Sequence, residues 1–211
     1  MSLDPVSWLS RPVRKTGPFG VWGAPAKELD RRMACDEFLP DPDQVLIRAT
    51  AVEAPASHLY RWLTQMRAAP YSYDWIDNAG KKSPDHLIEG ADPVAVGQRI
   101  AKIFRLVDFE PDRSLTLFYK GPVFGTTVIT YAAEPVTEST SRLFGRLLIR
   151  YNRNPLGKGF SLVLPAGDLV MMRRQMLNFA HLAAESYPAS GETSRADGET
   201  PGAPGETSAA T

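Results

Sequence analysis

Between residues 96 and 152 the apolar side chains recur at every second position, in four segments parted by short turns. "VGQRIAKIFRLVDFE", "RSLTLFYK", "GTTVITYAAEPV" and "STSRLFGRLLIRYN" read as strands, divided at Pro111-Asp112, Gly121-Pro122 and residues 134–138. A period of two sends alternate side chains to opposite faces, so each segment has a face to bury. Connections this short hold no crossover helix, and the neighbours must run antiparallel. In the fourth segment Leu143, Gly145, Leu147, Ile149 and Tyr151 alternate with Arg142, Phe144, Arg146, Leu148 and Arg150. That pattern predicts one packed face and one wet face.

The period then changes to that of a helix. In "PAGDLVMMRRQMLNFAHLAAES" (165–186), Leu169, Met172, Met176, Phe179, Ala180 and Ala183 form one stripe, along a helix of about five turns. Upstream, "QVLIRATAVEA" (44–54) is β-branched and alternating, a further strand. "PASHLYRWLTQMR" follows, with Pro55 at a helix start and Leu59, Trp62, Leu63 and Met66 on one face. A second, short helix is expected over 72–79, ended by Gly80. Strand, two helices, antiparallel strands and a long helix predict an α+β domain with its helices on one face of the sheet.

The folded body is thus expected over 44–187. Residues 1–43 are rich in Pro and Gly and read as a partly extended arm, with Trp8, Phe19 and Trp22 as anchors. "KELDRRMACDEF" within it predicts a short helical turn. Residues 188–211 carry GET at 191, 198 and 205 and no apolar side chain larger than alanine. Such a tail has too little apolar surface to offset chain entropy and is expected to be disordered.

Charge and cysteine content narrow the function classes. Lys and Arg number 24, as do Asp and Glu. The tail holds one basic and four acidic residues, leaving 23 against 20 elsewhere, a net +3. Nothing there points to nucleic acid or an anionic membrane. A single cysteine, Cys35, allows no internal disulfide or cysteine-based metal site, which fits a reducing compartment. No apolar run approaches the ~20 residues of a membrane span, and "MSLDPVSWLSRPVRK" lacks the pattern of a secretory signal. The expectation is a cytoplasmic monomer or homodimer without membrane insertion.

Several local stretches carry a resemblance: "VWGA" (21–24), "CDEFLPDPDQVLIRAT" (35–50), "VEAPASHLYRWLTQM" (52–66), "YSYDWIDN" (71–78), "VGQRI" (96–100) and "GDLVMMRRQML" (167–177). With the element order, they resemble the SRPBCC superfamily of START-like, polyketide-cyclase and birch-pollen-allergen-like proteins, in one bacterial branch. The resemblance spans about residues 20 to 187. It implies a helix-grip fold, a curved antiparallel sheet wrapped around a long C-terminal helix, with 71–78 at the cavity entrance. It brings no catalytic motif, since the superfamily includes carriers, cyclases, receptors and regulators.

A grip of this kind either packs solid or leaves a cavity. A dry void of ~300 Å3 would cost about 7 kcal/mol, comparable to the whole stability of a domain, so ligand, water or side chains should fill it. The expected ligand is apolar or amphipathic: a lipid, polyketide or isoprenoid. Tyr71, Tyr73 and Trp75 are the candidate lip, because Tyr and Trp join an apolar body to a hydrogen-bonding tip. Phe104, Phe118, Tyr131, Met172, Met176 and Phe179 are candidate lining residues, with either pleat of each strand able to face inward. Plain core packing is the alternative for the methionines, and capping the alternative for the aromatic cluster.

Catalytic constellations are sparse. Asp74 and Asp77, with Tyr73, are the weak candidates for acid–base work, since carboxylates three apart meet on a helix. His58, His86 and His181 are scattered without metal-ligand spacing. "NPLGKGF" (154–160) superficially resembles a phosphate loop, but Asn152 and Gly159 stand where it needs Gly and Ser or Thr; it reads as a turn. Arg99, Lys102 and Arg105 are expected in solvent unless an acid or ligand carboxylate draws one inward. Neither a cofactor nor a metal is called for. A cyclase or dehydratase using the same pocket is the alternative function, and a regulatory module with a filled cavity a further one.

Overall fold

A computed structural model of the chain describes residues 16–72, 82–90, 93–122 and 124–188. Tyr73, Asp74, Trp75, Asp77, Gly80, Trp8 and the GET repeats lie outside the described residues. The strands are β1 (Val21–Trp22), β2 (Gln44–Val52), β3 (Arg99–Ile100), β4 (Phe104–Glu110), β5 (Ser114–Gly121), β6 (Gly125–Pro135) and β7 (Ser141–Arg150). They form a curved, unclosed sheet in the order β1-β2-β7-β6-β5-β4-β3. Every pairing is antiparallel except β1 with β2. The helices are α1 (Cys35–Phe38), α2 (Ala56–Thr64) and α3 (Pro155–Ser186). This is the expected α+β helix-grip: a sheet that curls around a long C-terminal helix.

The four period-two segments form strands, with one break. The first divides into β3 and β4 at a hairpin through Ala101 and Lys102, both at positive φ (45° and 66°). Ala101 N–H donates to the Met66 carbonyl at 2.9 Å, tying this hairpin to the end of α2. A left-handed turn in non-glycine residues leaves no trace in hydrophobic periodicity.

The helix over 165–186 is longer than its stripe implied. α3 has 32 residues and runs through Pro165. Its start lies in the "NPLGKGF" stretch: Asn154 is the N-cap, its side chain accepting from Gly157 N–H at 2.8 Å, and Pro155 occupies the first turn. The stretch is a helix start, not the expected turn. Gly157 is demanded by crowding, since a Cβ there would lie 2.0 Å from the Asn152 carbonyl oxygen.

The concave face holds the main core. Leu59, Trp62, Leu63 and Met66 are all buried, as their spacing predicts. They meet Tyr71, Met176, Phe179 and Ala183 against Leu143, Ala133 and Leu115. Trp62 meets Tyr71 edge-on at 6.1 Å, and Tyr71 lies 5.1 Å from Phe179. Burying each such side chain contributes about 1.5–3 kcal/mol.

The convex face is packed as well, which overturns the expectation of a wet face on β7. Residues 143–149 are buried without a break. Val45, Ile47, Ala49, Val128, Phe144 and Leu148 pack beneath Cys35 and Leu39 of the N-terminal segment. Arg146 is why the wet-face reading fails. Its guanidinium, almost without exposure, grips Asp36 through two hydrogen bonds of 3.0 Å and donates to the Leu29 carbonyl. Arg142 likewise reaches Glu28 at 2.8 Å and the Gly23 carbonyl at 2.9 Å. Cys35 N–H donates to Thr130 Oγ1 at 2.9 Å. Burial, reinforced by Asp36, pushes the Cys35 thiol up to about 12, so it is inert at neutral pH.

Asp36→Ala is expected to cost about 3 kcal/mol, because it leaves Arg146 charged and buried. Adding Arg146→Met should recover much of that loss. Urea denaturation of both variants checks this; an Asp36→Ala midpoint equal to wild type would show that the pair contributes nothing to stability.

Candidate functional site

The alternation of each strand decides which side chains reach the space under α3. On β6 the inward positions are Thr127, Ile129 and Tyr131, and on β7 Leu147 and Ile149; Leu117 of β5 joins them. α3 supplies the facing wall with Leu164, Gly167, Asp168, Met171, Met172 and Gln175. Between the two walls lies a cavity of about 430 Å3, within the range of small-molecule sites. Pro70 and Ser72, the β3–β4 hairpin with Ala101 and Ile103, and Phe104 and Phe124 complete the lining. Half-exposed Ile103 marks the mouth. An aromatic row of Phe104, Tyr119, Phe124 and Phe160, with ring centres 5.8–5.9 Å apart, joins this rim to the start of α3.

Two other concavities are shallower in chemistry. A cleft of about 410 Å3 over the convex face is lined by charged side chains such as Arg31, Asp108, Glu110 and Arg113. A groove of about 1030 Å3 beside the start of α3 is bordered by Asp43, Asn152, Arg153 and Lys158.

Two hydrogen-bonded sets of polar groups lie at the inner cavity or directly behind it. In the first, Tyr131 O–H donates to Gln175 Oε1 at 2.5 Å, and Gln175 Nε2 donates to the Pro70 carbonyl at 2.6 Å and toward Met66 Sδ at 3.8 Å. In the second, Arg48 Nη2 on β2 donates to Asp168 Oδ2 at 2.8 Å. The Arg48 side chain is wholly buried, its Nη1 donating to the carbonyls of Gly20 and Ile47, while its Nε has no hydrogen-bond partner among the described residues. Burial pushes the Asp168 carboxyl up from 3.8 to about 6, against the pull of Arg48. Burial also draws the Arg48 guanidinium down from its ordinary value, against the pull of Asp168. Both partners are thus penalised by desolvation more than they gain from each other, as is common for buried ion pairs. Tyr131 is raised by burial and then by the Asp168 charge.

Gly145 lies beside this arrangement. It faces Arg48 across the β2–β7 pair. A Cβ there would stand 2.4 Å from the Met172 methyl group, the free end of a flexible side chain, so glycine leaves room for that methyl group where a larger residue would make it shift.

Of the residues expected to line a pocket, Phe104, Tyr131 and Met172 border the cavity. Met176 and Phe179 sit in solid core further along α3, fully buried. Phe118 packs on the convex cluster, because Leu115 and Leu117 take the inner pleat of β5. Tyr71 is 1% exposed and lies inside the core between Trp62 and Phe179 rather than at a lip. Its φ of 57° turns the chain inward, held by Asn178 Nδ2 donating to the Tyr71 carbonyl at 2.9 Å. Arg99, Lys102 and Arg105 are exposed. His58 meets Ser186 Oγ at 2.9 Å, and His86 and His181 are exposed. No metal-binding group of His, Cys, Asp and Glu occurs among the described residues.

Arg48 and Asp168 escaped the sequence reading. The available signal was one arginine on the inward pleat of β2, between Leu46 and Val52, on a strand otherwise suited to burial. Asp168 stood beside the helical stripe with nothing local to mark it as buried.

The chemical capacity of the site follows from its make-up: it can enclose an apolar molecule beside a carboxyl poised near neutrality, able to exchange a proton. The native state holds the Asp168 proton more tightly than the unfolded chain. Its contribution to stability is therefore full below about pH 4 and lost as pH rises through about 6. The stability of wild type minus that of Asp168→Asn should fall by up to ~3 kcal/mol between pH 4 and 7. Chemical denaturation at several pH values checks this, and a flat difference would place Asp168 in an ordinary solvated setting.

No family model matches the chain, and no curated protein matches it. The chain is similar to a solved structure from Mesorhizobium loti, at 16% identity over 68% of this chain and 99% of that one, with a TM-score of 0.43. A Thermus thermophilus structure matches at 14% identity over 68% of this chain and 99% of that one, with a TM-score of 0.44. The di-domain ARO/CYC BexL from the BE-7585A biosynthetic pathway matches at 17% identity over 65% of this chain and 45% of that one, with a TM-score of 0.41.

Proposed function

We propose that the chain binds an apolar or amphipathic small molecule, of lipid, polyketide or isoprenoid kind, between the sheet and α3. The helix-grip fold and the motifs quoted above support placing it in the SRPBCC superfamily. The observation that carries the reading is the cavity itself. The space opens to solvent past Ile103, so a ligand there would displace water from walls built of Leu117, Ile129, Leu147, Ile149, Met171 and Met172, which favour an apolar occupant. Met171 and Met172 add polarizable, adaptable surface, suited to ligands of varied shape. Tyr73 and Trp75 follow closely on Ser72, which borders the cavity, and they remain the proposed lip.

A second reading, a cyclase or dehydratase working in the same pocket, is favoured by one observation: Asp168 ionises near neutrality in a site that also holds the Tyr131 hydroxyl. Enclosure of a reactive chain would supply most of the acceleration, with Asp168 passing a proton. Asp74 and Asp77 have no supporting geometry among the described residues. The regulatory alternative calls for a cavity filled by side chains, and the open volume counts against it.

Native mass spectrometry of the protein from its host, followed by denaturing extraction, is expected to release a stoichiometric apolar molecule. Leu147→Trp, which places an indole in the cavity, should abolish the adduct while leaving the fold intact by circular dichroism. A clean apo mass, with no apolar dye bound in the cavity, would sink the binding proposal.

A further inference from the structure

The cavity contains five polar side chains, Ser72, Thr127, Tyr131, Asp168 and Gln175, and their hydrogen bonds can be followed one by one. Ser72 Oγ donates to the Met171 carbonyl at 3.1 Å, and Thr127 Oγ1 to the Phe124 carbonyl at 3.2 Å. Tyr131 donates to Gln175, and Gln175 directs its amide nitrogen to Pro70 and Met66. Among the described residues, every side-chain donor facing the cavity is therefore committed to the protein. Asp168 differs. Its Oδ2 accepts from Arg48, and its Oδ1 accepts no hydrogen bond among the described residues. The Asp168 side chain keeps part of its surface open on the cavity, and a carboxylate oxygen has lone pairs to spare for a donor that arrives there.

We propose that Asp168 Oδ1 is the recognition point of the cavity, and that the ligand is an apolar molecule carrying a hydrogen-bond donor, such as a hydroxyl, phenol or N–H, rather than a carboxylate or phosphate. This deepens the binding reading above and rests on it. The same geometry disfavours the opposite chemistry. An anionic head would face a largely buried carboxylate, and among the described residues every side-chain donor lining the cavity is already engaged. Arg48 does not line the cavity, and its charge is turned to the Gly20 and Ile47 carbonyls and to Asp168. Its role is to position Asp168: it pins Oδ2 and leaves Oδ1 toward the ligand. Specificity then follows from what an unmatched partner leaves behind. A ligand without a donor buries Asp168 unsatisfied, whereas a matching one gains a charge-assisted hydrogen bond.

Three probes on one skeleton test this: 2-naphthol, which donates; 2-methoxynaphthalene, which does not; and 2-naphthoate, an anion. Binding to the full-length wild type by calorimetry at pH 7.5 is expected to favour naphthol over methoxynaphthalene by about tenfold, with naphthoate weakest. Leu147→Trp should abolish binding of the first two, which locates them in the cavity. The double variant Arg48→Met with Asp168→Leu replaces the buried pair by apolar groups of similar volume, a change that folds commonly tolerate. It should bind naphthol and methoxynaphthalene within about twofold of each other, through retained affinity for the ether. Equal affinity of the wild type for naphthol and methoxynaphthalene, or a preference for naphthoate, would overturn the donor proposal while leaving the cavity reading intact. Failure of all probes to bind, or binding indifferent to Leu147→Trp, would overturn the cavity reading and this proposal together. The wild-type ranking decides the matter even if the double variant does not fold.

Discussion

The packing of α3 on the concave face is the constraint on which the rest of the structure turns. Met172 closes on the sheet beside Gly145, and there Arg48 reaches from β2 to Asp168. C-terminal to this contact α3 is solid core: Met176, Phe179 and Ala183 meet α2 and Tyr71 with no exposure. N-terminal to it the helix spans the cavity through Leu164, Gly167 and Asp168. One helix therefore serves two purposes: one part of it packs into the core, and the other roofs the cavity.

Three hydrogen bonds extend that division to the chain before residue 73. Gln175 holds the Pro70 carbonyl, Asn178 holds the Tyr71 carbonyl, and Ser72 donates back to the Met171 carbonyl. Successive turns of α3 thus strap the stretch 70–72 in place. Tyr71 accepts a left-handed backbone, a strain of order 1 kcal/mol or more, and its ring fills the core between Trp62 and Phe179. The convex face obeys a different logic. There the N-terminal segment is clipped on by arginines of β7, through Asp36 and Glu28, and closes a second, smaller core. A sheet covered on both faces keeps its curvature supported from outside while the inner side retains open space.

Much of this is legible in the chain itself. Four alternating segments, the apolar face of α2 and the stripe on α3 each reappear, because periodicity of burial is written locally. The misreadings have local causes too. Arg142 and Arg146 resemble a solvated face, because charge signals water unless a partner distant in sequence covers it; Asp36 lies 110 residues away from Arg146. Asn154-Pro155 opens a helix where the spacing suggests a turn, since Gly157, Gly159 and Pro165 all argue against helix by propensity alone. Phe118 is expected inward and is not, because nothing in an alternating strand says which pleat the neighbouring elements will cover.

By itself, the sequence determined the antiparallel strands, the amphipathic helices and so an α+β domain, since each follows from spacing along one segment; the helix-grip was implied by the resemblance of its motifs. Only the tertiary structure decided where α3 stops packing and starts roofing a cavity, which pleat lines it, and that Arg48 and Asp168 meet there. Those two residues lie 120 positions apart. Their pairing, and the shift of Asp168 toward neutral pH, arise from shared burial, a property that no single stretch of chain possesses.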